Sequence, residues 1–379
     1  MRLLCVSRDF PPAVGGIQTT VAELARALTE LGHEVVVLAP SHPGFRAHDR
    51  ALPFEVVRLT VPWQEMNAAS PGAILQLTAR RRFDASLHAL WHTLPGGLAA
   101  RTLGRLQCVT AIGHGRELLH NEWRGRLRPL GPRVRRVLLP RPDAWFAVSR
   151  FTRALLVEGG ARRDSIHVTF GGVDLERFAP RPPLSSTWGL RHVQEPMLVT
   201  VSRLVRRKGV DTVLRALPRV REAHPQVRYI VGGVGPDGAR LRHLRDRLGL
   251  RGTVKFVGHI SRRDHAALLS DADLFVMPAR SPRPDVEGLG LAFLEASACG
   301  TAVVGADAGG VPYAVEHEGS GCLVPPSDPE ALADVVIDLL ADPQRRARLA
   351  TRGRARVEEA FTWMRVAKRY EAGLLAALR

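Results

Sequence analysis

The sequence predicts an α/β fold built on parallel sheets, and three observations carry that prediction. Short apolar runs alternate with helical periodicities along the chain; glycine-rich turns follow several of those runs; and the pattern stops and restarts once, near residues 179–196. Alternation of this kind belongs to βαβ units, whose crossover helices make neighbouring strands run parallel. A length of 379 residues fits two or three domains.

Leu3 to Ser7 is the first apolar strand, and Pro11, Pro12, Gly15 and Gly16 make the turn after it. Ile17, Val21, Leu24, Leu28 and Leu31 then recur on one helical face, and Gly32 stops that helix. Residues 34–39 are the next buried strand, with further strands expected at 55–60, 84–90, 107–112, 144–148 and 166–169. Residues 179–196 hold Pro180, Pro182, Pro183 and Pro196 with little periodicity, and read as a linker. Beyond it a strand is expected at 197–201, a helix at 211–220, and strands at 227–232, 253–257, 273–277, 301–304 and 322–324. Leu332, Val335, Val336, Leu339 and Leu340 mark an amphipathic helix ended by Asp342-Pro343. The expected division is 1–180 and 181–360, with a terminal helix, 361–379, packing back on the first half. Each half would turn its strand ends towards a shared cleft, where open α/β sheets bind ligands.

Hydrophobic residues at 45% and charged residues at 24% exclude wholesale disorder. The apolar stretch at residues 1–6 is too short for a signal-peptide core, and no run approaches the roughly 20 apolar residues of a membrane span. Cys5, Cys108, Cys299 and Cys322 stand apart without metal-ligand spacing, so they read as core residues in a reducing compartment. The chain is expected to be cytoplasmic. A formal charge of +17 would suit nucleic acid, an anionic membrane or phosphorylated substrates. Residues 1–180 carry 24 basic and 15 acidic side chains, and 181–379 carry 30 and 22, so the excess is spread over both halves. Aromatics at 6% and the lack of a basic–aromatic module argue against nucleic acid.

Two constellations carry chemistry. In the first, Glu287-Gly288-Leu289-Gly290-Leu291 leads into a helix that contains Glu295. Its glycines let the backbone approach a ligand, and the first amides of a helix suit phosphate. Glu287 is expected to precede that helix and Glu295 to lie one to two turns inside it; eight residues of helix rise about 12 Å, near the sugar-to-ribose distance of a nucleotide sugar. Either the two carboxylates hold hexose and ribose hydroxyls, or they are solvated glutamates flanking a core helix. In the second, Arg203 and Lys208 flank a loop directly after the strand at 197–201, where two cations can clamp a diphosphate and stabilise its departure. Arg206 and Arg207, between them, read as solvated. In the first half, Gly15-Gly16 opens a helix, and His114 lies between glycines after a strand, as a structural histidine or a sugar contact.

Together the Glu-x7-Glu segment, Ser202-Arg203 with Lys208-Gly209, the Gly15-Gly16-Ile17 turn and Phe256–Ile260 resemble the family 4 retaining glycosyltransferases over essentially the whole chain. The opening Arg8–Gln18 also resembles bacterial phosphatidylinositol mannosyltransferases and related GDP-mannose-dependent enzymes. The resemblance implies the GT-B fold, two Rossmann-like domains with parallel sheets facing a central cleft: an acceptor domain first and a nucleotide-sugar domain second. It implies that Arg203 and Lys208 bind the donor diphosphate, that Glu287 holds the donor sugar with the amides of Gly288, Leu289, Gly290 and Leu291, and that Glu295 holds the ribose. Gly16 would approach the diphosphate, His114 would contact the sugar, and the backbone of Val257, Gly258 and Ile260 would frame the base. The chain departs from the family with Gly171 before Gly172-Val173-Asp174, where asparagine is usual, and with Tyr313 after Gly309-Gly310-Val311-Pro312, where glutamate is usual.

The implied reaction is a front-face hexose transfer from GDP-mannose or a UDP-sugar to a lipid or glycan acceptor. No cofactor and no metal are expected; Asp271-Ala272-Asp273 reads as a turn. A nucleotide-sugar epimerase or a glycogen-type synthase on the same fold is the alternative. Arg80 to Arg82 and the basic, apolar-interleaved stretch 116–141 would suit docking on the inner leaflet of an anionic membrane.

Overall fold

The computed structural model describes residues 1–120, 130–181 and 195–379, without the side chains of Arg262 and Arg263. Most of the expected linker (182–194) and the centre of the basic stretch (121–129, with Trp123, Arg124, Arg126, Leu127 and Arg128) lie outside the described residues. The chain forms two compact units, one of Met1–Gly172 with Trp363–Arg379 and one of Val173–Thr362.

The first unit is built on seven parallel strands: β1 (Arg2–Val6), β2 (Glu34–Pro40), β3 (Glu55–Leu59), β4 (Ala85–His88), β5 (Cys108–Gly113), β6 (Ala144–Ala147) and β7 (Ile166–Val168). Their order across the sheet is β3-β2-β1-β4-β5-β6-β7. The second unit has six, β8 (Met197–Val201), β9 (Arg228–Gly232), β10 (Val254–Gly258), β11 (Leu274–Met277), β12 (Ala302–Ala306) and β13 (Cys322–Val324), in the order β10-β9-β8-β11-β12-β13. These are the α/β sheets that the alternation predicts. Strands buried on both faces read as short continuous apolar runs, and Leu3, Leu4, Val6, Val37 and Leu38 are wholly buried.

Each sheet reverses its strand order at its first strand. β1 lies between β2 and β4, and β8 between β9 and β11. The loops after β1 and β4, and after β8 and β11, therefore leave the carboxyl edge on either side of a switch point, where such sheets bind ligands.

Buried side chains tie the strands of the second unit together. Thr200 donates to the Val276 carbonyl and pairs with the Tyr229 hydroxyl at 2.7 Å. Asp273 accepts from the Met197 amide at 2.9 Å and meets Arg346 at 3.3 Å, which gives the Asp271-Ala272-Asp273 stretch a structural task. In the first unit the helix Trp363–Ala377 packs on the helix Gly16–Glu30 and on β6, with Tyr370 4.5 Å from Phe146 between ring centres. All four cysteines are free and buried. No helix among the described residues is long and apolar enough to cross a membrane.

Candidate active site

Among the described residues, a dense cluster of charges lies at the switch point of the second sheet. The loop after β8 closes in a short turn, Arg206–Lys208, ended by Gly209 in the left-handed region (φ 72°). A Cβ at Gly209 would strike the Pro278 carbonyl in the loop after β11, so glycine here lets the two switch-point loops touch. Arg280 laces them together. Its amide donates to the Arg207 carbonyl at 2.6 Å, and its guanidinium donates to Asp211 Oδ1 at 2.5 Å and Thr212 Oγ1 at 2.8 Å. Asp211, in the first turn of the helix Val210–Ala223, also meets Arg240 at 3.2 Å.

Held in this way, Lys208 Nζ lies 2.8 Å from Glu287 Oε2. Arg207 Nε is 3.5 Å from the same oxygen, and Arg207 Nη1 is 3.7 Å from Asp285 Oδ1. The side chains of Lys208 and Glu287 are each only 11% exposed. Burial alone would push the Glu287 carboxyl up, but Lys208 and Arg207 outweigh it and hold the group below its ordinary value. Glu287 is therefore a carboxylate at neutral pH.

Gly288, Leu289 and Gly290 continue the loop, and the helix Leu291–Ala298 starts after Gly290 (φ 92°), where a Cβ would meet the Phe293 ring at 2.7 Å. Glu287 thus precedes the helix and Glu295 lies about a turn inside it, as expected, but the helical rise of about 12 Å between them does not hold. Only the step from Leu291 to Glu295 is helical, a rise of about 6 Å, and an irregular loop carries the rest of the way to Glu287. That loop is braced by the Gly310 amide, which donates to the Glu287 carbonyl at 2.8 Å. Glu295 sits 4.0 Å from His265 Nε2, His265 packs against the edge of Phe178 at 5.2 Å, and the Arg177 guanidinium lies 4.7 Å over Phe178. Burial pushes the Glu295 carboxyl up to about 7, against the opposing charges of Arg177 and Lys208.

Arg203 is exposed and makes no ion pair with a described residue. At the end of β10 the register slips between Phe256 and Gly258, and Gly258 turns left-handed (φ 72°) with its carbonyl accepting from Gly233 at 2.6 Å. Val257 is half-buried, and Ile260 is buried over Gly232.

The first unit presents a different chemistry. His114 follows β5, its Nε2–H donates to the Ala89 carbonyl at 3.1 Å, and its amide donates to Glu117 Oε1 at 2.7 Å. Burial pushes the imidazole down to about 4, although the Ala89 carbonyl and Asp9 oppose the shift. The ring is therefore neutral, with its lone pair on Nδ1. Glu117 is itself pushed up by burial, against backbone N–H bonds including those from His114 and Gly115 and the charge of Arg8. Asp9 accepts from Gln18 at 3.3 Å and from Arg8 at 3.4 Å. Gly16 is exposed at the start of its helix, and no atom lies within 4 Å of a Cβ built on it, so packing does not demand glycine there.

Comparison with known proteins joins these observations. Residues 14–177 match the model of Glycosyltransferase Family 4, and residues 189–356 match that of Glycosyl transferases group 1. A GDP-mannose-dependent alpha-(1-6)-phosphatidylinositol monomannoside mannosyltransferase of Mycobacterium tuberculosis is 32% identical over 376 residues, covering 96% of this chain and 95% of that one. The chain belongs to the family 4 glycosyltransferases. A second relative, the GDP-mannose-dependent monoacylated alpha-(1-6)-phosphatidylinositol monomannoside mannosyltransferase of Corynebacterium glutamicum, is 31% identical over 96% of this chain and 94% of its own length. Among solved structures, Anabaena HepE in complex with UDP and glucose superposes with a TM-score of 0.81 at 23% identity, over 99% of this chain and 100% of that one. That likeness shows the fold, GT-B with two Rossmann-like sheets.

In this glycosyltransferase the structure brings Lys208 and Glu287 together, with Glu295 further along the same loop and helix. Arg207 is the residue that local sequence misplaces. Read as solvated, it is 21% exposed and points between Asp285 and Glu287, while its neighbour Arg206 is exposed. Arg177 and His265, beside Glu295, also escaped the sequence reading. The only local signal was Asp174, whose side chain accepts from the Glu176 and Arg177 amides and so fixes where Arg177 starts.

Proposed function

We propose that this glycosyltransferase moves a hexose from a nucleoside-diphosphate sugar to a lipid-linked or glycan acceptor, with retained anomeric configuration and without a metal ion. The Lys208–Glu287 pair, buried where the loops after β8 and β11 meet, is the observation that carries this reading. An ammonium suits anhydride oxygens, and a carboxylate suits the hydroxyls of a hexose. The two mannosyltransferase relatives make GDP-mannose the first donor to try.

In this reading Arg203 and Lys208 bind the diphosphate, and the amides from Gly288 to Leu291 surround the sugar held by Glu287. Glu295 accepts from the ribose, and the backbone of Val257, Gly258 and Ile260 frames the base. Gly16 leaves room for the diphosphate, and the neutral ring of His114 touches the sugar. As the bond from the anomeric carbon to the diphosphate breaks, charge grows on the leaving oxygen. Fixed cations stabilise that charge, and the leaving oxygen takes the acceptor's proton while the acceptor bonds on the same face.

The test is nucleoside diphosphate release from GDP-mannose and from UDP-glucose, each with and without a phosphatidylinositol mannoside or glycogen. Release that requires the glycolipid, survives EDTA and gives a product of unchanged anomeric configuration by NMR supports transfer as proposed. Sugar conversion without acceptor would instead indicate an epimerase, and glycogen as the sole competent acceptor a synthase. We extend the reading to a peripheral membrane location, because the helix Leu130–Leu138 exposes Leu130 and Val137 beside Arg133 and Arg136. Anionic vesicles should pellet the protein at low salt and release it at high salt, and no pelleting at low salt would refute docking.

A further inference from the structure

We propose that Arg207 is a positioning residue that becomes the counter-ion of Glu287 when Lys208 turns to the donor's diphosphate. The inference rests on the donor-site reading above and goes beyond it by giving a role to a residue that this reading leaves out. Lys208 cannot serve a carboxylate and an incoming anion equally well. Its ammonium lies 2.8 Å from Glu287 Oε2, and both side chains are nearly enclosed. Drawing Lys208 away would leave a buried carboxylate without a partner, which is far costlier than leaving an exposed one.

Arg207 is built to prevent that. Its Nε lies 3.5 Å from the same Oε2 atom, one short movement from a charge-assisted hydrogen bond, and that Nε is buried without a hydrogen-bond partner. Asp285 steadies the far end of the guanidinium at 3.7 Å. The Arg207 backbone is fixed by the Arg280 amide at 2.6 Å, and Arg280 is itself held on Asp211 and Thr212. Guanidinium and ammonium thus share one oxygen, and the planar fork can remain on the carboxylate while the flexible lysine leaves it.

A double-mutant cycle on the binding of free GDP and free UDP tests this. Arg207→Gln should weaken whichever nucleotide the wild type binds by about 10-fold or more, because Glu287 then holds Lys208 back. Arg207→Lys should recover most of the affinity. In a Glu287→Gln background, where no carboxylate needs a counter-ion, adding Arg207→Gln should change affinity less than about 2-fold. A loss that persists in the Glu287→Gln background would mean that Arg207 touches the nucleotide itself, and would overturn the proposal, as would unchanged binding in Arg207→Gln. A melting temperature of Arg207→Gln far below that of Arg207→Lys, with parallel losses in both backgrounds, would mark a merely structural role and also overturn it. A wild type that binds neither nucleotide would instead sink the donor-site reading itself.

Discussion

The two sheets of this glycosyltransferase share a strand order through six strands and reverse direction at the same place, yet the loops at their carboxyl edges carry opposite chemistry. In the second unit, Arg207 and Lys208 converge on Glu287 and keep it ionised. In the first, His114 is neutral and the carboxyl of Glu117 is occupied by backbone N–H groups. Both places are buried. What differs is whether a partner of opposite charge is fixed within reach, since burial alone drives a titratable group neutral and a paired ion resists it. Topology decides where ligands sit, and the local charge partners decide which part of a ligand each site can take.

The contrast is broken most severely by removing the charged pair. Lys208→Ala and Glu287→Ala should each lower kcat/KM for transfer about 1,000-fold or more while the melting curve stays cooperative. Near-normal turnover in either would place the chemistry elsewhere. In the neutral site, His114→Ala should lower kcat by about 100-fold with little change in nucleotide affinity, because the ring carries no charge to offer the diphosphate. Weakened nucleotide binding would erase the distinction between the two sites. Gly16→Ala meets no atom within 4 Å, so its melting temperature should hold. Transfer should still fall about 10-fold if a diphosphate passes there, and a fully active variant would remove Gly16 from the donor's path.

The smallest effect is a matter of pH. Glu295 titrates near 7 beside Arg177, Lys208 and His265, the last pushed down to about 4 by burial. In the proposed role, Glu295 accepts from ribose hydroxyls best when ionised, so nucleotide affinity should rise with pH up to about 7 and then level off, with a proton released on binding. Glu295→Gln should flatten that profile. Stability of the free protein runs the other way. The folded value lies above the ordinary 4.5, so this group's contribution is complete below 4.5 and is lost as pH rises through 7.

Most strands were legible because they are short runs buried on both faces, from Leu3 in β1 to Val324 in β13, while β3, β7 and β10 are only partly buried. Helix limits were less so. Asp342-Pro343, taken as a stop, also starts the helix Pro343–Ala360, with Asp342 accepting from the Arg345 amide at 2.8 Å and proline at the first position. The helix before Glu295 begins later than its apolar run suggests, because Gly288 and Gly290 keep that part of the run in the loop. At the site, Lys208 and Glu287 could be picked out by position after a strand. Arg207 could not, since three consecutive basic residues look alike until a distant arginine, Arg280, fixes which guanidinium turns inward.

The return of Trp363–Arg379 to the first unit has a consequence for anyone cutting the protein apart. A fragment ending at Gly172 would lack Trp363, Val366, Tyr370 and Leu374, all buried, and would forfeit on the order of 6 kcal/mol of apolar burial, comparable with the whole stability of a typical domain. The Trp363 ring fills the space beside Gly172, so the tail can be rejoined to that end of the unit through a short flexible linker. Such a shortened chain should stay soluble where the plain truncation precipitates.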